Sequence, residues 1–221
     1  MKKKILLILC LSAGTIAFAQ QKTSFGAKAG IISSEMKGDA VKSLDGLLEL
    51  TNGIVSSKGR TGFFAGVNAD IPMGGSLSVE PGIYYAQKGY ELSGDFNIKG
   101  IEFLGANAKA QLQSQYIDVP LILKYKSGGL QLFAGPQLSY LIKSNLRTTA
   151  GVLGINLLDK NIDATSQFNR WDAALSGGIG YQFNNGMSLS AAYDYGLMKV
   201  DANSSVASYN RGIKIGLGIN F

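Results

Sequence analysis

A two-residue alternation of apolar with small or polar side chains runs along most of this chain and limits its fold more than any other feature. It recurs in eight segments, which are separated by Gly- and Asn-rich turns or by longer polar stretches. Such alternation puts apolar side chains on one face of a β-strand and polar side chains on the other. We therefore predict eight strands, over residues 24–33, 60–72, 77–91, 109–126, 130–143, 168–183, 187–200 and 211–221.

The length and the purity of the apolar faces separate two all-β alternatives, a soluble lipocalin-like barrel and a barrel that crosses a membrane. In the fourth segment the apolar face runs from Ile117 to Tyr125, which matches the ~9–11 residues that a tilted strand needs to cross a bilayer. The apolar faces carry almost no charge, whereas the opposite faces are rich in Gly, Ser, Asn, Gln and charged residues. We therefore predict an all-β fold, a single eight-stranded antiparallel up-and-down transmembrane β-barrel of the outer-membrane type, with lipid outside and a polar lumen.

The connections between these segments alternate in length. Short turns follow the second, fourth and sixth segments, and the Asn-Asn-Gly sequence at 184–186 is typical of a hairpin. Longer loops follow the first, third, fifth and seventh segments. This pattern is typical of outer-membrane barrels, so we expect the long loops outside the cell and both mature termini in the periplasm.

Three prolines, Pro81, Pro120 and Pro136, fall inside predicted strands. Each removes a backbone N–H donor from the ladder. We expect β-bulges at these positions.

The first 19 residues have the pattern of a cleaved signal peptide. Residues 1–4 are basic, residues 5–11 are apolar, and Ala17 and Ala19 place small side chains where a signal peptidase reads them. The apolar run is too short to cross about 30 Å of hydrocarbon as an anchor. Leu9 precedes Cys10 where a lipoprotein signal needs a small residue. We expect residues 1–19 to be removed and residues 20–221 to form a barrel in the outer membrane.

The expected mature chain has neither histidine nor cysteine. Histidine-dependent catalysis, Ser–His triads, His–metal sites and thiol chemistry are therefore excluded. We expect no enzyme activity, no cofactor and no metal, and carboxylate chemistry between Asp118 and Asp172 remains a distant alternative. Lysine and arginine are scattered rather than interleaved with aromatic residues, so we expect no nucleic-acid partner.

The predicted lumen face carries a network of ionisable side chains. Its members are Lys28, Asp70, Glu80, Lys88, Asp118, Lys124, Arg170, Asp172, Asp194 and Lys214. Glu80 and Lys124 are at similar heights on neighbouring strands, as are Asp194 and Lys214, so that each pair could form a salt bridge. The network either fills the core as structural ion pairs or lines a gated ion path. We favour ion pairs, because an eight-stranded barrel is only wide enough for side chains.

Many glycines also point into the predicted lumen. They are Gly26, Gly30, Gly62, Gly66, Gly82, Gly178, Gly180, Gly196, Gly212, Gly216 and Gly218. Their missing side chains could leave a small wet cavity. The cluster at 177–180 is better explained by close packing in a narrow barrel than by nucleotide binding.

Two predicted outer loops contain unusually apolar stretches. Residues 40–50 have apolar side chains at helical spacing, and residues 151–158 are apolar almost throughout. They either pack on each other as a lid over the barrel, which we favour slightly, or form a hydrophobic surface for a protein or lipid partner.

Residues 115–142, QYIDVPLILKYKSGGLQLFAGPQLSYLI, resemble the PorT-like outer-membrane barrel family of Bacteroidetes. Supporting stretches lie at 25–30, 77–89 and 193–200, in the same order along the chain. The resemblance implies an eight-stranded barrel. The named relative is linked to type IX protein secretion, which makes a secretion accessory role a distant alternative for this chain.

The last predicted strand has the form of an assembly signal. Its outward residues are Ile213, Ile215, Leu217, Ile219 and Phe221. Outer-membrane barrels end on an aromatic residue preceded by such an alternation, and the barrel-assembly machinery reads that strand. We expect this machinery and outer-membrane lipid as partners of a monomer, whose role is structural or partner-binding through its loops. The alternative is a narrow channel for ions or small solutes.

Overall fold

A computed structural model of the chain describes residues 22–38, 55–96, 106–152, 155–202 and 208–221. The predicted signal peptide and the apolar segment at 40–50 lie outside these residues. No helix in the described part is long and apolar enough to cross a membrane.

The described residues contain nine strands, and eight of them close into a ring. In chain order the strands are β1 (Ser24–Gly38), β2 (Val55–Gly74), β3 (Leu77–Phe96), β4 (Ala106–Ser127), β5 (Leu130–Val152), β6 (Ile155–Asp163), β7 (Trp171–Gln182), β8 (Met187–Gly196) and β9 (Ser208–Asn220). Every pairing is antiparallel, β5 pairs with β7, and β9 pairs with β1 to close the ring. The predicted eight-stranded up-and-down barrel is confirmed, and β6 is an additional strand that pairs with β5 outside the ring.

Alternation along each strand decides which side chains face inward. In β4, Val119, Leu121 and Leu123 point outward and are 47%, 52% and 50% exposed, whereas Asp118 and Lys124 are buried inside. The other ring strands follow the same rule, so a continuous belt of exposed apolar side chains surrounds the barrel. A belt of this size is stable only where lipid covers it.

Short turns close one end of the barrel, which we call the turn end, and the opposite end is the loop end. Glycines with positive φ make the turns tight, among them Gly75 at 58°, Gly128 at 54° and Gly186 at 84°. Glycine adopts such angles without the steric cost that a Cβ atom brings.

The ring strands differ in height. The strands β2, β3, β4 and β5 have 20, 20, 22 and 23 residues, whereas β7, β8, β9 and β1 have 12, 10, 13 and 15. The excess length lies at the loop end, where β2 to β5 stay paired beyond the ring. We call these loop-end parts of β2–β5, together with β6, the wall.

The prediction that residues 151–158 form a loop is wrong. Gly151 and Val152 end β5, and β6 begins at Ile155 and pairs back along β5 as far as Asn145. The segment escaped prediction because its apolar residues are consecutive and do not alternate with polar ones. It is part of the wall and not a lid over the barrel.

A different pair of segments covers the loop end, and we call residues 164–170 and 197–202 the mouth cap. Phe168 pairs with Asp201 in an isolated bridge, and the Asn169 N–H donates to the Val200 carbonyl at 2.9 Å. The cap places Ala164, Val200 and Phe168 in an apolar cluster with four strand residues, Met36, Tyr90, Leu112 and Leu146. The predicted strand over 187–200 therefore ends early, at Gly196, because the chain turns across the mouth.

The bulges expected at the three prolines are also wrong. Between Pro81 and Tyr84 the β3–β4 ladder loses two residues on each strand without a change of register, and the β4–β5 ladder does the same beyond Pro120. Pro136 keeps its register opposite Leu175 of β7. The missing N–H groups are accommodated by skipped pairs and not by an extra residue.

Candidate functional site: an ion-paired lumen

The lumen near the turn end holds a group of three lysines and two carboxylates, which we call the turn-end cluster. Lys124 of β4 contacts Glu80 of β3, and Lys28 of β1 reaches the other oxygen of Glu80 at 3.3 Å. Lys126 lies 2.6 Å from Asp70 Oδ2, and Lys124 lies 4.0 Å from the same atom. These contacts join four strands across the inside of the barrel.

A second group, the loop-end cluster, lies nearer the mouth cap. Lys88 Nζ donates to Asp118 Oδ1 at 2.8 Å and lies 4.7 Å from the centre of the Tyr116 ring. Lys214 Nζ lies 2.8 Å from Asp194 Oδ2.

The third carboxylate of the loop-end cluster is Asp172. Its Oδ2 accepts the Asn210 side-chain N–H at 2.7 Å, and its Oδ1 has no hydrogen-bond partner among the described residues. Ser176, four residues further along β7, donates to Asp194 at 2.7 Å. The loop-end cluster therefore holds two lysines and three carboxylates.

The two clusters balance each other in charge. The turn-end cluster carries one excess positive charge and the loop-end cluster one excess negative charge, if every group is ionised. Buried ions of this kind are tolerated only when they are paired and hydrogen-bonded. The ten charges of the two clusters therefore sum to zero and are polarised along the barrel axis.

The structure brings the predicted network residues together inside the barrel, with one exception. Lys28, Asp70, Glu80, Asp118, Lys124, Asp172, Asp194 and Lys214 all line the lumen, as does Lys88. Arg170 does not line the lumen. It immediately precedes β7, at the loop end, and its side chain is exposed. Lys126, which sequence reasoning missed, follows the inward-facing Lys124 by two residues and was therefore predictable from alternation.

Sequence reasoning also missed the large apolar side chains that point inward. They are Ile32, Phe64, Tyr84, Tyr116, Ile122, Phe133 and Leu141. Several follow or precede an outward apolar residue, as in the doublets Ile31–Ile32, Phe63–Phe64 and Tyr84–Tyr85. Such doublets break strict alternation, and they are the signal that would have identified these residues.

Aromatic rings occupy the space that the inward glycines leave. A Cβ on Gly216 would lie 2.7 Å from Cζ of Phe64, and a Cβ on Gly178 would lie 2.9 Å from Cζ of Phe133. Tyr84 packs in the same way across Gly82 and Gly66. Glycine is required at these positions because the rings lie directly against the backbone.

A small cavity remains between the two clusters. Its volume is about 60 Å³, and it is lined by Lys28, Glu80, Tyr84, Asp118, Gln137 and Lys214, among others. A cavity of this size has room for a few water molecules. Apolar side chains, among them Phe64, Ile122 and Phe133, contribute more of its surface than the polar side chains do. The described residues contain no group of three or more acidic side chains, histidines or cysteines placed to hold a metal.

Asp118 and Asp172, the pair considered for carboxylate chemistry, are each 2% exposed. Asp118 is bound by Lys88, and Asp172 is bound by Asn210. These buried charge-assisted hydrogen bonds hold strands together inside the barrel, β3 to β4 through Lys88–Asp118 and β9 to β7 through Asn210–Asp172.

The predicted assembly-signal residues lie on the outside of β9. Ile213, Ile215, Leu217 and Ile219 alternate outward and belong to the apolar belt, and Phe221 is the most exposed of the five. The Phe221 N–H donates to the Phe25 carbonyl at 2.8 Å, which ties the end of the described chain to β1.

A family model and several solved structures match the chain. Residues 18–202 match the family model described as outer membrane protein beta-barrel domain. Among solved structures, the chain is similar to Ail, the attachment invasion locus protein of Yersinia pestis, at 12% identity over 91% of this chain and 100% of that chain, with a TM-score of 0.45. It is also similar to Neisserial surface protein A, at 11% identity over 91% and 100% with a TM-score of 0.44, and to OprG of Pseudomonas aeruginosa, at 14% identity over 91% and 97% with a TM-score of 0.43.

No curated protein sequence matches the chain. The family match, in contrast, extends over most of the sequence and includes strands β1 to β8. The chain belongs to the outer membrane protein beta-barrel domain family.

Proposed function

We propose that this protein is a closed outer-membrane scaffold whose loop end binds a partner. The observation that carries the first half of the proposal is the filled lumen. Two ion-paired clusters and several aromatic rings occupy it, the mouth cap covers one end, and the cavity between the clusters measures only about 60 Å³. A lumen of this kind supports a structural role.

Opening a path through the lumen requires breaking buried ion pairs. Lys88 and Asp118 have side chains that are only 6% and 3% exposed, and Lys124 and Glu80 are buried to a similar degree. Separating such a pair leaves uncompensated charge, at a cost of about 3–5 kcal/mol. Solute passage is therefore not the activity that the resting lumen favours.

The wall supports the second half of the proposal. Within the described chain, β6 pairs with β5 alone, so its other edge offers unpaired backbone groups. Leu158 and Ile162 lie on this edge strand and are 47% and 44% exposed. An edge strand with exposed apolar side chains is a common site for another chain to add.

Conductance of the folded protein in a planar bilayer tests the closed lumen. We expect no current across the bilayer. A difference in gel migration between unheated and heated samples verifies that the protein used is a folded barrel. The matched variants are Lys214→Gln, inside the lumen, and Lys160→Gln, on β6. Discrete current steps that change with Lys214→Gln but not with Lys160→Gln would show that the protein is a channel and not a closed scaffold.

A photo-crosslinking residue in the native membrane tests the partner site. Placed at Asn161 of β6, it should yield a discrete adduct of higher mass. Placed at Ile215, in the lipid-facing belt, it should yield no protein adduct. Absence of an adduct from Asn161, or the same adduct from both positions, contradicts partner binding at the wall.

A narrow channel for ions or small solutes is the second candidate. One observation favours it, the cavity between the clusters together with buried carboxylate oxygens of Asp70 and Asp172 that lack partners in the described chain. Such groups bind water or small ions more readily than saturated ones do.

Membership of the PorT-like group of Bacteroidetes is part of the proposal and rests on the resemblance of residues 115–142. A cleaved signal peptide and periplasmic termini also belong to it. N-terminal sequencing of protein from purified membranes is expected to begin near Gln20. A secretion accessory role requires that deletion of the protein block export of type IX substrates, and normal export excludes that role.

A further inference from the structure

The apolar belt carries an aromatic pair near the loop end of β5 and β7. Tyr140 lies opposite Trp171 in the β5–β7 ladder, and the two rings meet edge to face with their centroids 5.0 Å apart. Both side chains point away from the lumen and are 40% and 50% exposed. Tyrosine and tryptophan favour the level of the lipid headgroups, because each ring has an apolar body and a polar group. The pair therefore marks the headgroup level on this side of the barrel.

Two cations lie just beyond the aromatic pair. Arg170 directly precedes Trp171, and its Nη1 donates to the carbonyl oxygens of Leu141 at 3.2 Å and Ile142 at 3.1 Å. These bonds hold the guanidinium against β5, next to Lys143, whose side chain is exposed. A guanidinium has five N–H donors, so this anchoring leaves donors for a ligand.

The charge around these cations is not neutralised by an ion pair in the described residues. The nearby carboxylate is Asp163, whose Oδ1 accepts the Thr165 backbone N–H at 2.9 Å. Its pKa is held below the usual range chiefly by hydrogen bonds from Thr165, and the positive charges of Lys143 and Arg170 lower that pKa further. The site therefore contains two cations and one carboxylate, and this carboxylate already accepts a hydrogen bond from Thr165.

Another cation of β5 shows the contrast. Arg147, further along the wall, donates to both oxygens of Asp159 at 2.9 and 2.6 Å. Its guanidinium is already occupied by a carboxylate. A free anion near β5 therefore has a better site at Lys143 and Arg170 than at Arg147.

We propose that Lys143 and Arg170 bind the phosphate of a phosphorylated lipid in the leaflet at the loop end, with the acyl chains of that lipid lying on the apolar belt below Tyr140 and Trp171. Phosphate fits the two cations, since a guanidinium binds two of its oxygens at once while an ammonium acts as a point charge. A lipid is the source, because the site is continuous with the lipid-facing belt. The inference is independent of whether the wall binds a protein.

Native mass spectrometry of the folded full-length barrel tests this site. The protein is transferred from detergent micelles that contain phosphatidylglycerol, and the retained lipids are counted. We expect one tightly retained molecule, and the double variant Lys143→Gln/Arg170→Gln should bind it at least about tenfold more weakly, since charge-assisted hydrogen bonds are lost. The control Arg147→Gln/Lys160→Gln removes the same charge from the wall and should change the affinity by less than about twofold.

Two competitors distinguish a lipid from its parts. Diacylglycerol supplies acyl chains without phosphate, inorganic phosphate supplies the anion without chains, and neither should displace phosphatidylglycerol. The proposal is wrong if the double variant keeps the lipid, if the control loses it equally, or if inorganic phosphate competes.

Single variants keep the test decisive if the double variant does not fold. Lys143→Gln changes only an exposed side chain and should weaken binding by a few-fold. Arg170→Lys keeps the charge but not the two-pronged geometry and should bind with intermediate affinity. Binding by both variants that equals the wild type overturns the proposal.

Discussion

Charged side chains fill the barrel together with apolar and aromatic ones, and Lys88 and Asp118 are among the most deeply buried of the charged residues. Their contact at 2.8 Å replaces the water that each ion loses on folding. The Tyr116 ring beside Lys88 and the Ser139 hydroxyl at 3.3 Å add further stabilisation. The pair stabilises the barrel only when both partners are present, because a single buried ion is not compensated for the hydration that it loses on folding.

Removing one partner of this pair should therefore be severe. Lys88→Met keeps the length of the side chain but leaves Asp118 unpaired, and we expect a loss of about 3–5 kcal/mol in the free energy of unfolding. Urea titration in lipid vesicles measures it through the fluorescence of Trp171, the single tryptophan of the chain.

Two further variants complete this experiment. Adding Asp118→Leu to Lys88→Met removes the stranded charge, and most of the stability should return. Lys37→Met breaks an exposed pair with Glu35 and should cost less than about 1 kcal/mol. If the Lys88 and Lys37 variants are equally stable, the lumen pair is not structural.

At the scale of the strands, alternation was enough to predict most of the charged residues that line the lumen, but not the inward apolar side chains or where each strand ends. The apolar belt gives a strong two-residue period, so Asp118 and Lys124 could be assigned inward from sequence. Beyond the belt, β4 still alternates, but its apolar residues, such as Leu112 and Tyr116, face inward and its outward residues are polar, so the outward apolar pattern of the belt is absent. The wall and β6 therefore went unpredicted, because long-range pairing with β5 and not local pattern holds them in the sheet.

The closure of β1 against β9 depends on small residues. Gly30 lies opposite Gly216, and a Cβ on Gly30 would collide with backbone atoms of Ile215 and Gly216, which cannot rotate away. We expect Gly30→Ala to destabilise the barrel by about 1–3 kcal/mol. The folded fraction on unheated gels after refolding measures the effect.

Gly177 supplies the matched control. A Cβ there would lie 3.6 Å from the Phe133 carbonyl oxygen and 3.7 Å from Ala134, which are ordinary contact distances. Gly177→Ala should therefore refold like the wild type. Equal folded fractions for the two alanine variants would contradict the requirement for glycine at position 30.

The β5–β6 hairpin should respond to acid. Two hydrogen bonds from Arg147 hold the pKa of Asp159 below its usual range. A carboxylate with a depressed folded-state pKa contributes stability above its unfolded value of ~3.9, and this contribution is lost as the pH falls through the folded value. We expect the hairpin to loosen at acidic pH.

Carbon-13 NMR titration of the Asp159 carboxyl measures this directly. Its midpoint should lie below ~3.9 in the wild type and return toward that value in Arg147→Gln. An unchanged midpoint in the variant would show that Arg147 does not bind Asp159 in solution.

The whole molecule has a tall half and a short half. β2 to β6 form the wall, whereas the strands from β7 through β9 to β1 end sooner, and the mouth cap spans the gap between the halves. Sequence reasoning located the long connections at one end but could not show this asymmetry, since it depends on which strands stay paired beyond the belt.

The orientation of the barrel gives a prediction for the entire chain. Asn161 lies on β6 and Asn185 in the turn between β7 and β8, and both are exposed. A membrane-impermeant maleimide should label Asn161→Cys in intact cells and Asn185→Cys only after the outer membrane is permeabilised. The opposite pattern would place the loop end in the periplasm.

The unequal strand heights affect how neighbouring membrane proteins approach the mouth of the barrel. A barrel with a uniform rim can be approached equally from every lateral direction. Among the described residues, the wall rises on one side of the mouth cap, whereas β7, β8, β9 and β1 end lower on the other side, where large neighbours meet less of the barrel. The molecule therefore has a front and a back, and its rotation about the membrane normal sets which neighbours meet the mouth.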